Sequence, residues 1–136
     1  MNEVKIQCHI KGTRPLLMNA FTNETDNGPS KKGRLYDDQE EAKKRLYLDP
    51  GGSICQPATH IEGCMVKSAT DFKFTGKKTY KDIIKSGVFV EPLMIPHIKP
   101  KWEIDKQGVV VQRSRIARCR PRFDEWEFAF EIFLRD

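Results

Sequence analysis

The stretch VVVQRSRIARCRPRFDEWEFAFEIFL, residues 109–134, decides the predicted fold. From Trp126 to Leu134, bulky apolar residues recur at every second position, which is the period of a half-buried β-strand. The segment from Val109 to Arg122 predicts a second strand, and a tight proline-containing turn near residues 122–123 would join the two. The stretch therefore predicts a long C-terminal β-hairpin.

Five arginines lie in the first of these two strands, and their spacing decides which side of the sheet they would occupy. Arg113 and Arg115 share one parity, whereas the later three share the other: Arg118, Arg120 and Arg122. One additional residue near 116–117, a β-bulge, would bring all five onto one face. The sequence therefore predicts a basic face on this strand.

Two of the five arginines have a structural explanation within the predicted hairpin. Arg120 would lie opposite Glu127, and such a cross-strand pair stabilises a sheet without any ligand. With the bulge, Arg115 would lie opposite Glu131 in the same way. No acidic partner is evident for the other three: Arg113, Arg118 and Arg122. These three are candidate contacts to an anion, with a solvated basic face as the alternative.

Other periodic segments supply the rest of the predicted sheet. Residues 3–12 alternate strictly and predict the first strand, and residues 88–90 predict another. A short strand at residues 102–104 would pair with the strand that begins at Val109, through a turn at residues 105–108. These strands indicate a mixed or antiparallel sheet.

Two helical segments complete an α+β fold. Asp37 to Leu48 is acidic at its start and basic at its end, as the helix dipole prefers. The next helix has Thr59 and Glu62 at capping-box spacing, and its apolar residues recur at helical intervals up to Phe72, so one face should pack on the sheet. Gly63 within it would allow close approach of either a strand or a phosphate backbone. The pattern predicts helices on one face of the sheet.

The length and composition of the chain limit the possible classes of protein. Its 136 residues suit a single domain, residues 1–136, and charged residues make up 32% of it. No apolar run approaches the roughly 20 residues of a membrane span, and no signal-peptide pattern opens the chain, so we expect a cytoplasmic protein without a membrane partner. The four cysteines are widely spaced, with no C-x-x-C pair and no histidine at ligand spacing, so no zinc site is expected. No cofactor is predicted either.

Positive charge is concentrated in the middle of the chain. Residues 67–122 contain 14 Lys or Arg against 5 Asp or Glu, although the whole chain carries a net charge of only +5. This distribution favours a polyanionic partner such as single-stranded RNA or DNA, and a basic surface without a partner is the alternative.

The segment KFTGKKTYK, residues 73–81, interleaves lysines with aromatic residues around a glycine. Aromatic rings can stack on unpaired bases while lysines neutralise phosphates, which is the composition that single-strand binding needs. The predicted phosphate contacts are Lys73, Lys77, Lys78 and Lys81, and the predicted stacking residues are Phe74, Tyr80 and Trp102. As an alternative, Phe74 would close the core beneath the preceding helix.

The segment from Phe21 to Tyr36 has no period and is rich in Asn, Gly, Ser and Thr, so it predicts a mobile loop at residues 21–36. The end of the loop is basic through Lys31, Lys32 and Arg34. Such an arm could become ordered on nucleic acid, and a disordered insertion without a function is the alternative.

Residues 54–69, in which a strand leads through Pro57 into a glycine-containing helix, resemble the RAMP superfamily. These are the repeat-associated RNA-binding proteins of CRISPR effector complexes. The resemblance implies a ferredoxin-like fold related to the RNA recognition motif, and RNA contacts near Thr59, His60 and Gly63. It also implies that the loop at residues 21–36 acts as a finger and that the chain assembles into a backbone. The whole chain is similar, in addition, to small phage and prophage proteins.

Motifs of enzymes are not evident in the chain. It has no Walker A loop, no dinucleotide-binding glycine run, no G-x-S-x-G and no histidines paired at helical spacing. The three histidines, His9, His60 and His97, lie on three different predicted elements. A metal-independent ribonuclease can work with one histidine plus a lysine or tyrosine, so this activity stays open as an alternative.

We therefore expect sequence-tolerant binding of single-stranded RNA or DNA, within a self-assembling nucleoprotein complex. The alternative from another class is a structural or assembly protein of a phage-like particle that does not bind nucleic acid. That alternative would use an exposed edge strand or the aromatic C-terminal segment, where Phe133 has the outward parity.

Overall fold

The computed structural model describes residues 3–21 and 37–135. Within these residues the fold is α+β, as predicted, with three α-helices and ten β-strands. The helices are α1 (Asp38–Lys44), α2 (Ala58–Ser68) and α3 (Lys81–Gly87), and a 3-10 turn covers Ala69–Asp71. The strands are β1 (Glu3–Lys11), β2 (Leu16–Leu17), β3 (Cys55–Pro57), β4 (Lys73–Thr75), β5 (Lys78–Thr79), β6 (Val88–Glu91), β7 (Met94–Pro96), β8 (Glu103–Val111), β9 (Ser114–Phe123) and β10 (Glu127–Arg135).

The strands form small antiparallel sheets, and β10 is the centre of the first. The order of this sheet is β1-β10-β6, and β1 pairs with β10 along its whole length. Alternate side chains of β10 face inward, which confirms the predicted period. The buried cluster beneath the sheet consists of Ala58, Val90, Ile95, Phe128 and Phe130. The predicted strands at residues 3–12 and 88–90 are confirmed.

Helix α2 covers this sheet on one face, as predicted. Its Met65 packs against the buried cluster, and the Glu62 Oε1 atom accepts a hydrogen bond from the Val90 backbone N–H at 3.0 Å. The predicted capping box is wrong, because the helix starts before Thr59 and its N-cap residue is Pro57. Glu62 therefore satisfies a backbone amide of the sheet instead of one at the helix start.

Strands β8 and β9 form the long hairpin of a second sheet, with the order β2-β9-β8. Their register is unbroken, so the bulge predicted near residues 116–117 is wrong. Strand β8 runs straight through residues 105–108, where the sequence predicts a turn. The actual turn consists of Gln112 and Arg113, whose φ angles are 49° and 67°. Positive φ at both central residues is the geometry of a type I′ turn, which matches the twist of a hairpin.

The predicted C-terminal hairpin is wrong in its pairing, although both of its strands exist. Strand β9 pairs with β8 and β2, whereas β10 pairs with β1 and β6, so the two lie in different sheets. The physical reason is that β1 and β6 occupy both edges of β10 and leave no edge for β9. Arg120 accordingly lies opposite Asp105 of β8, and not opposite Glu127.

Helix α1 packs against the β8–β9 hairpin, and it confirms the predicted acidic-to-basic helix in a shorter form. The side chain of Asp37 caps its start by accepting hydrogen bonds from two backbone amides. The Lys106 Nζ atom of β8 lies 3.1 Å from Asp38. On the same strand pair, Cys119 and Phe123 are fully buried. Burial raises the pKa of the Cys119 thiol to about 11, which keeps it protonated.

No helix in the described ranges is long and apolar enough to cross a membrane. The loop predicted at residues 21–36 lies outside the described residues except for Phe21, whose side chain is exposed.

Candidate nucleic-acid interface

Strands β4 and β5 form a short exposed hairpin, and residues 72–81 are called the basic hairpin below. Gly76 lies between the two strands with a φ of 57°, a conformation that suits glycine because it has no Cβ. The Tyr80 backbone N–H donates to the Phe72 carbonyl at 3.0 Å and closes the base of the hairpin. The predicted basic-aromatic segment therefore folds as a β-hairpin between α2 and α3.

Three aromatic side chains of the basic hairpin are exposed to solvent. Phe72, Phe74 and Tyr80 expose 64%, 54% and 38% of their surface. The rings of Phe74 and Tyr80 meet edge to face, with centroids 5.2 Å apart. Phe74 does not close the core, so that alternative is wrong. Aromatic surface left in water costs roughly 25 cal/mol per Å², so a patch of this kind is typical of a binding surface.

Phe72 is a candidate contact residue that the helical spacing assigns incorrectly to the packed face of α2. Its spacing from Met65 and Ser68 continues the apolar face of the helix. In the structure α2 ends at Ser68, and the 3-10 turn changes the direction of the residues that follow. The signal that locates Phe72 correctly is the polar-aromatic alternation over residues 71–74, which has the period of a strand.

Six lysines lie in the basic hairpin and in the helical segments that flank it. Only two acidic residues, Asp71 and Asp82, lie between residues 67 and 85, so this segment has a net charge of +4. All six lysines are exposed, and none forms an ion pair within the described part of the chain: Lys67, Lys73, Lys77, Lys78, Lys81 and Lys85. Lysines of this kind are available to neutralise phosphates.

The residues of α2 that the sequence identifies as RNA contacts lie on its exposed side. Thr59, His60 and Gly63 are all exposed. A Cβ atom added to Gly63 would meet nothing within 4 Å. The alternative that Gly63 permits close packing of a strand is therefore wrong, and the open surface above it is free to accept the backbone of a ligand.

Gln56 connects two of the three histidines, which the sequence places on separate elements. Its Nε2 atom lies 2.7 Å from His60 Nδ1, and its Oε1 atom lies 3.2 Å from His97 Nε2. In this arrangement the Gln56 amide N–H group donates to His60, and the Gln56 carbonyl oxygen accepts from His97. No sequence pattern indicates these two hydrogen bonds, because they depend on the pairing of β3 with β7.

The two ends of this hydrogen-bonded chain differ in their exposure. His97 is 7% exposed, stacks on Phe123, and has no hydrogen-bond partner for Nδ1 in the described ranges. Burial lowers the pKa of His97 from 6.5, because an imidazolium cannot be hydrated there. A general acid or base has to reach its substrate. Within this pair, only the exposed His60 could do so.

Arg122 has two carboxylate partners, contrary to the prediction that it has none. Its Nη2 atom lies 3.0 Å from Glu103 Oε2, and its Nε atom donates to Asp124 Oδ1 at 2.8 Å. The hydrogen bond to Asp124 and the nearby negative charges raise the pKa of Arg122. The prediction misses Glu103 because β8, and not β10, supplies the residues opposite β9, and it overlooks Asp124, which is only two positions along the chain.

Arg113, Arg115 and Arg118 have no ion pair among the described residues. Arg113 lies in the exposed turn, and Arg115 lies opposite Val110 instead of the predicted Glu131. Because no bulge interrupts β9, Arg115 and Arg118 have opposite parities and lie on opposite faces. The predicted single face of five arginines is therefore wrong, and Arg118 is half-buried on its own face.

The predicted contact residues thus divide among separate parts of the molecule. Trp102 is half-buried just before β8, a strand that belongs to a different sheet from the basic hairpin. No cluster of three or more His, Cys, Asp or Glu side chains suited to a metal ion lies within the described ranges. Lys31, Lys32 and Arg34 lie outside the described residues. The basic hairpin holds six of the predicted residues: Lys73, Phe74, Lys77, Lys78, Tyr80 and Lys81.

No protein family, curated protein or solved structure matches this chain. The function is accordingly inferred from the geometry and chemistry of the chain itself.

Proposed function

We propose that this protein binds single-stranded RNA or DNA with little sequence preference, and that the basic hairpin is the centre of the binding surface. The observation that carries the proposal is the presence of three exposed aromatic side chains among lysines without ion pairs. Stacking on an aromatic ring contributes about 1–3 kcal/mol per base, and every base has a face that can stack. The expected binding is therefore tolerant of sequence.

The exposed rings favour a single strand over a duplex. Bases in a duplex are already stacked on their neighbours, whereas unpaired bases can be splayed onto aromatic side chains. Phe72 and Phe74 are two positions apart, and both rings are exposed next to Lys73. Two exposed rings so close together among lysines suit the unpaired bases of a single strand.

The exposed side of α2 would extend the surface, with Thr59, His60 and Gly63 as further contacts. The proposal includes a RAMP-like role as an RNA-binding backbone subunit with a ferredoxin-related fold. Two features support it. Strand β3 leads directly through Pro57 into α2, and an antiparallel sheet is covered by this helix on one face.

Fluorescence-anisotropy titration of a labelled single-stranded oligonucleotide tests the proposal. The double substitution Lys77→Glu/Lys78→Glu is expected to weaken binding by about tenfold or more at low salt. The slope of log affinity against log salt concentration should become shallower by about 1.4 if each lysine contacts one phosphate. Phe74→Ala should weaken binding without changing this slope, because it removes stacking and no charge.

The matched control is Lys43→Glu/Lys101→Glu. Both lysines are exposed, lie outside the basic hairpin and form no ion pair within the described part of the chain. This variant has the same net charge as Lys77→Glu/Lys78→Glu and should retain most of the affinity. Absence of binding by the wild-type protein at low salt, or equal losses in the two double variants, would overturn the proposal.

A second candidate function is assembly, and the free edge of β1 is the observation that favours it. This nine-residue strand pairs with β10 on one side only among the described strands. Phe133, on which the sequence-based hypothesis of self-association rests, is half-buried, and the Lys5 Nζ atom lies 5.1 Å from its ring centroid. An assembly protein of this kind would be oligomeric in light scattering without nucleic acid and would not bind the oligonucleotide.

A further inference from the structure

We propose that β1 is a self-association strand, and that two copies of the chain pair β1 against β1 in antiparallel orientation about a two-fold axis at Gln7. The occupant of the free edge is thus a second copy of the same strand. This inference rests on the assembly function and is independent of nucleic-acid binding. It would join two three-stranded sheets into one continuous sheet.

The hydrogen bonding of β1 indicates which of its backbone groups have no partner strand among the described residues. The Gly12 N–H donates to the Trp126 carbonyl at 2.8 Å, in the same register that relates β1 to β10. Because alternate residues of a strand direct their N–H and C=O groups to the same side, the even residues face β10. The odd residues direct theirs to the free edge: Glu3, Lys5, Gln7, His9 and Lys11.

The side chains along this edge include apolar residues that the fold leaves in solvent. Val4 and Ile6 belong to the core-facing parity, yet they expose 50% and 42% of their surface. Farther along the strand, Cys8 and Ile10 are half-buried against the cluster beneath the sheet. A long edge strand with exposed apolar side chains is a template for pairing with another chain. Pairing would place Val4 opposite Ile10 of the second copy and Ile6 opposite its Cys8.

The charges of β1 select this register. A two-fold axis at Gln7 pairs all nine residues and sets Glu3 of each copy opposite Lys11 of the other. Moving the axis to Cys8 would set Lys5 opposite Lys11, and like charges directly opposite are destabilising. Moving it to residue 6 would leave Lys11 without a partner strand residue. Of these three registers, the proposed one is therefore the one that pairs all nine residues and also sets Glu3 opposite Lys11.

One pair in this register joins two basic residues, Lys5 and His9. The His9 Nε2 atom lies 2.6 Å from a carboxylate oxygen of Glu127, and the Lys5 Nζ atom lies over the ring of Phe133. A carboxylate therefore already stands beside this pair in each copy. Its negative charge offsets the repulsion between the two basic side chains.

The register makes the inference testable by disulfide formation. Because the odd residues form the hydrogen-bonded pairs, Ile6 and Cys8 of the second copy would form a non-hydrogen-bonded pair, with Cα atoms about 4.5 Å apart. That distance is within the range that a disulfide spans. The substitution Ile6→Cys would therefore place two cysteines opposite each other twice in the dimer.

Mild oxidation of Ile6→Cys should give a covalent dimer of twice 15.7 kDa on a non-reducing gel, with the linkage between residues 6 and 8 located by mass spectrometry. Lys5→Cys is the matched control. Its new thiol lies on the other face of the sheet, opposite His9, so it should cross-link far more slowly.

A charge exchange tests the same register without cysteine chemistry. Glu3→Lys and Lys11→Glu should each raise the dimer dissociation constant by about tenfold, and the double variant should restore it. A wild-type chain that is monomeric at all concentrations in light scattering would overturn both the assembly function and this inference. An oligomer that neither cross-links through Ile6→Cys nor responds to the exchange would overturn the strand pairing alone. Oligonucleotide binding is measured separately and bears on neither outcome.

Discussion

His97 is an ionisable side chain held among aromatic rings with its Nδ1 atom unpaired in the described part of the molecule. Burial lowers the pKa of His97 in the folded protein below the 6.5 of the unfolded chain. As the pH falls, the unfolded chain therefore binds this proton first. The contribution of neutral His97 to stability is present above pH 6.5 and is lost as the pH decreases below it. We expect the free energy of unfolding to decrease there by at most about 1.4 kcal/mol per pH unit.

Urea unfolding at a series of pH values measures this dependence. His97→Gln keeps a polar group beside Gln56 but cannot titrate, so its stability should vary less between about pH 7 and pH 5. His9→Gln, which changes an exposed histidine, should leave the acid-dependent loss in place. If the wild type and His97→Gln gave parallel profiles, a group other than His97 would be responsible.

The turn between β8 and β9 is made of residues that do not favour its conformation. Gln112 and Arg113 both have positive φ, which is costly for side chains with a Cβ atom, and type I′ turns prefer Asn-Gly. Gln112→Asn/Arg113→Gly should therefore increase the free energy of unfolding by about 1 kcal/mol. Chemical denaturation measures the change.

Arg113→Ala is the control for this prediction. It removes the same charged group but keeps a Cβ atom at a φ of 67°, so it should not stabilise the protein. A gain in stability equal to that of the glycine variant would show that the arginine side chain, and not backbone strain, sets the cost of the turn. The glycine variant also tests whether Arg113 contacts nucleic acid, because its fold should be more stable than that of the wild type.

For the secondary-structure elements, the sequence predicts where the strands lie better than it predicts which strands pair. The alternation of β1 and β10 is a local property of the chain, so it identifies both strands. Pairing depends on distant segments, because β10 pairs with β1 and β6, and β9 pairs with the preceding strand β8 and not with β10. The true turn at residues 112–113 has no glycine or asparagine, whereas residues 105–108 have turn-like composition and yet form a strand. Composition therefore predicts this hairpin in the wrong place.

In the candidate site, too, local features can be predicted from the sequence and long-range contacts cannot. The basic hairpin is contiguous in sequence, so its lysines and two of its rings are identified from composition alone. Phe72 is misplaced because the end of α2 depends on packing. The contacts that join His60, Gln56 and His97 form only when β3 pairs with β7, and no spacing in the sequence encodes them.

Two sets of cations in the described molecule differ in their partners, a difference that the net charge does not show. Arg120 and Arg122 of the second sheet are paired with carboxylates, Arg120 with Asp105 and Arg122 with Glu103. The lysines of the basic hairpin have no ion pair in the described ranges. The first set contributes to the electrostatics of the fold, and the second set is available to a polyanion. Folding and binding should therefore respond to different substitutions.

Arg122→Glu and Lys77→Glu/Lys78→Glu separate these two roles. Arg122→Glu would set a third carboxylate beside Glu103 and Asp124, so it should lower the midpoint temperature of unfolding. Its effect on oligonucleotide affinity should be small, since the wild-type guanidinium is already neutralised by its neighbours. The lysine variant breaks no ion pair, so it should unfold at the wild-type temperature while losing affinity.

Thermal unfolding followed by circular dichroism, together with anisotropy titrations on the same samples, measures both effects. If the lysine variant unfolded at a temperature as low as that of Arg122→Glu, its loss of affinity would reflect damage to the fold, and the basic hairpin would lose its support as the binding surface. If Arg122→Glu instead lost affinity at an unchanged unfolding temperature, the face of β9 that carries Arg118, Arg120 and Arg122 would be the contact surface. Loss of affinity with unchanged stability in the lysine variant alone separates the binding surface from the ion-paired sheet.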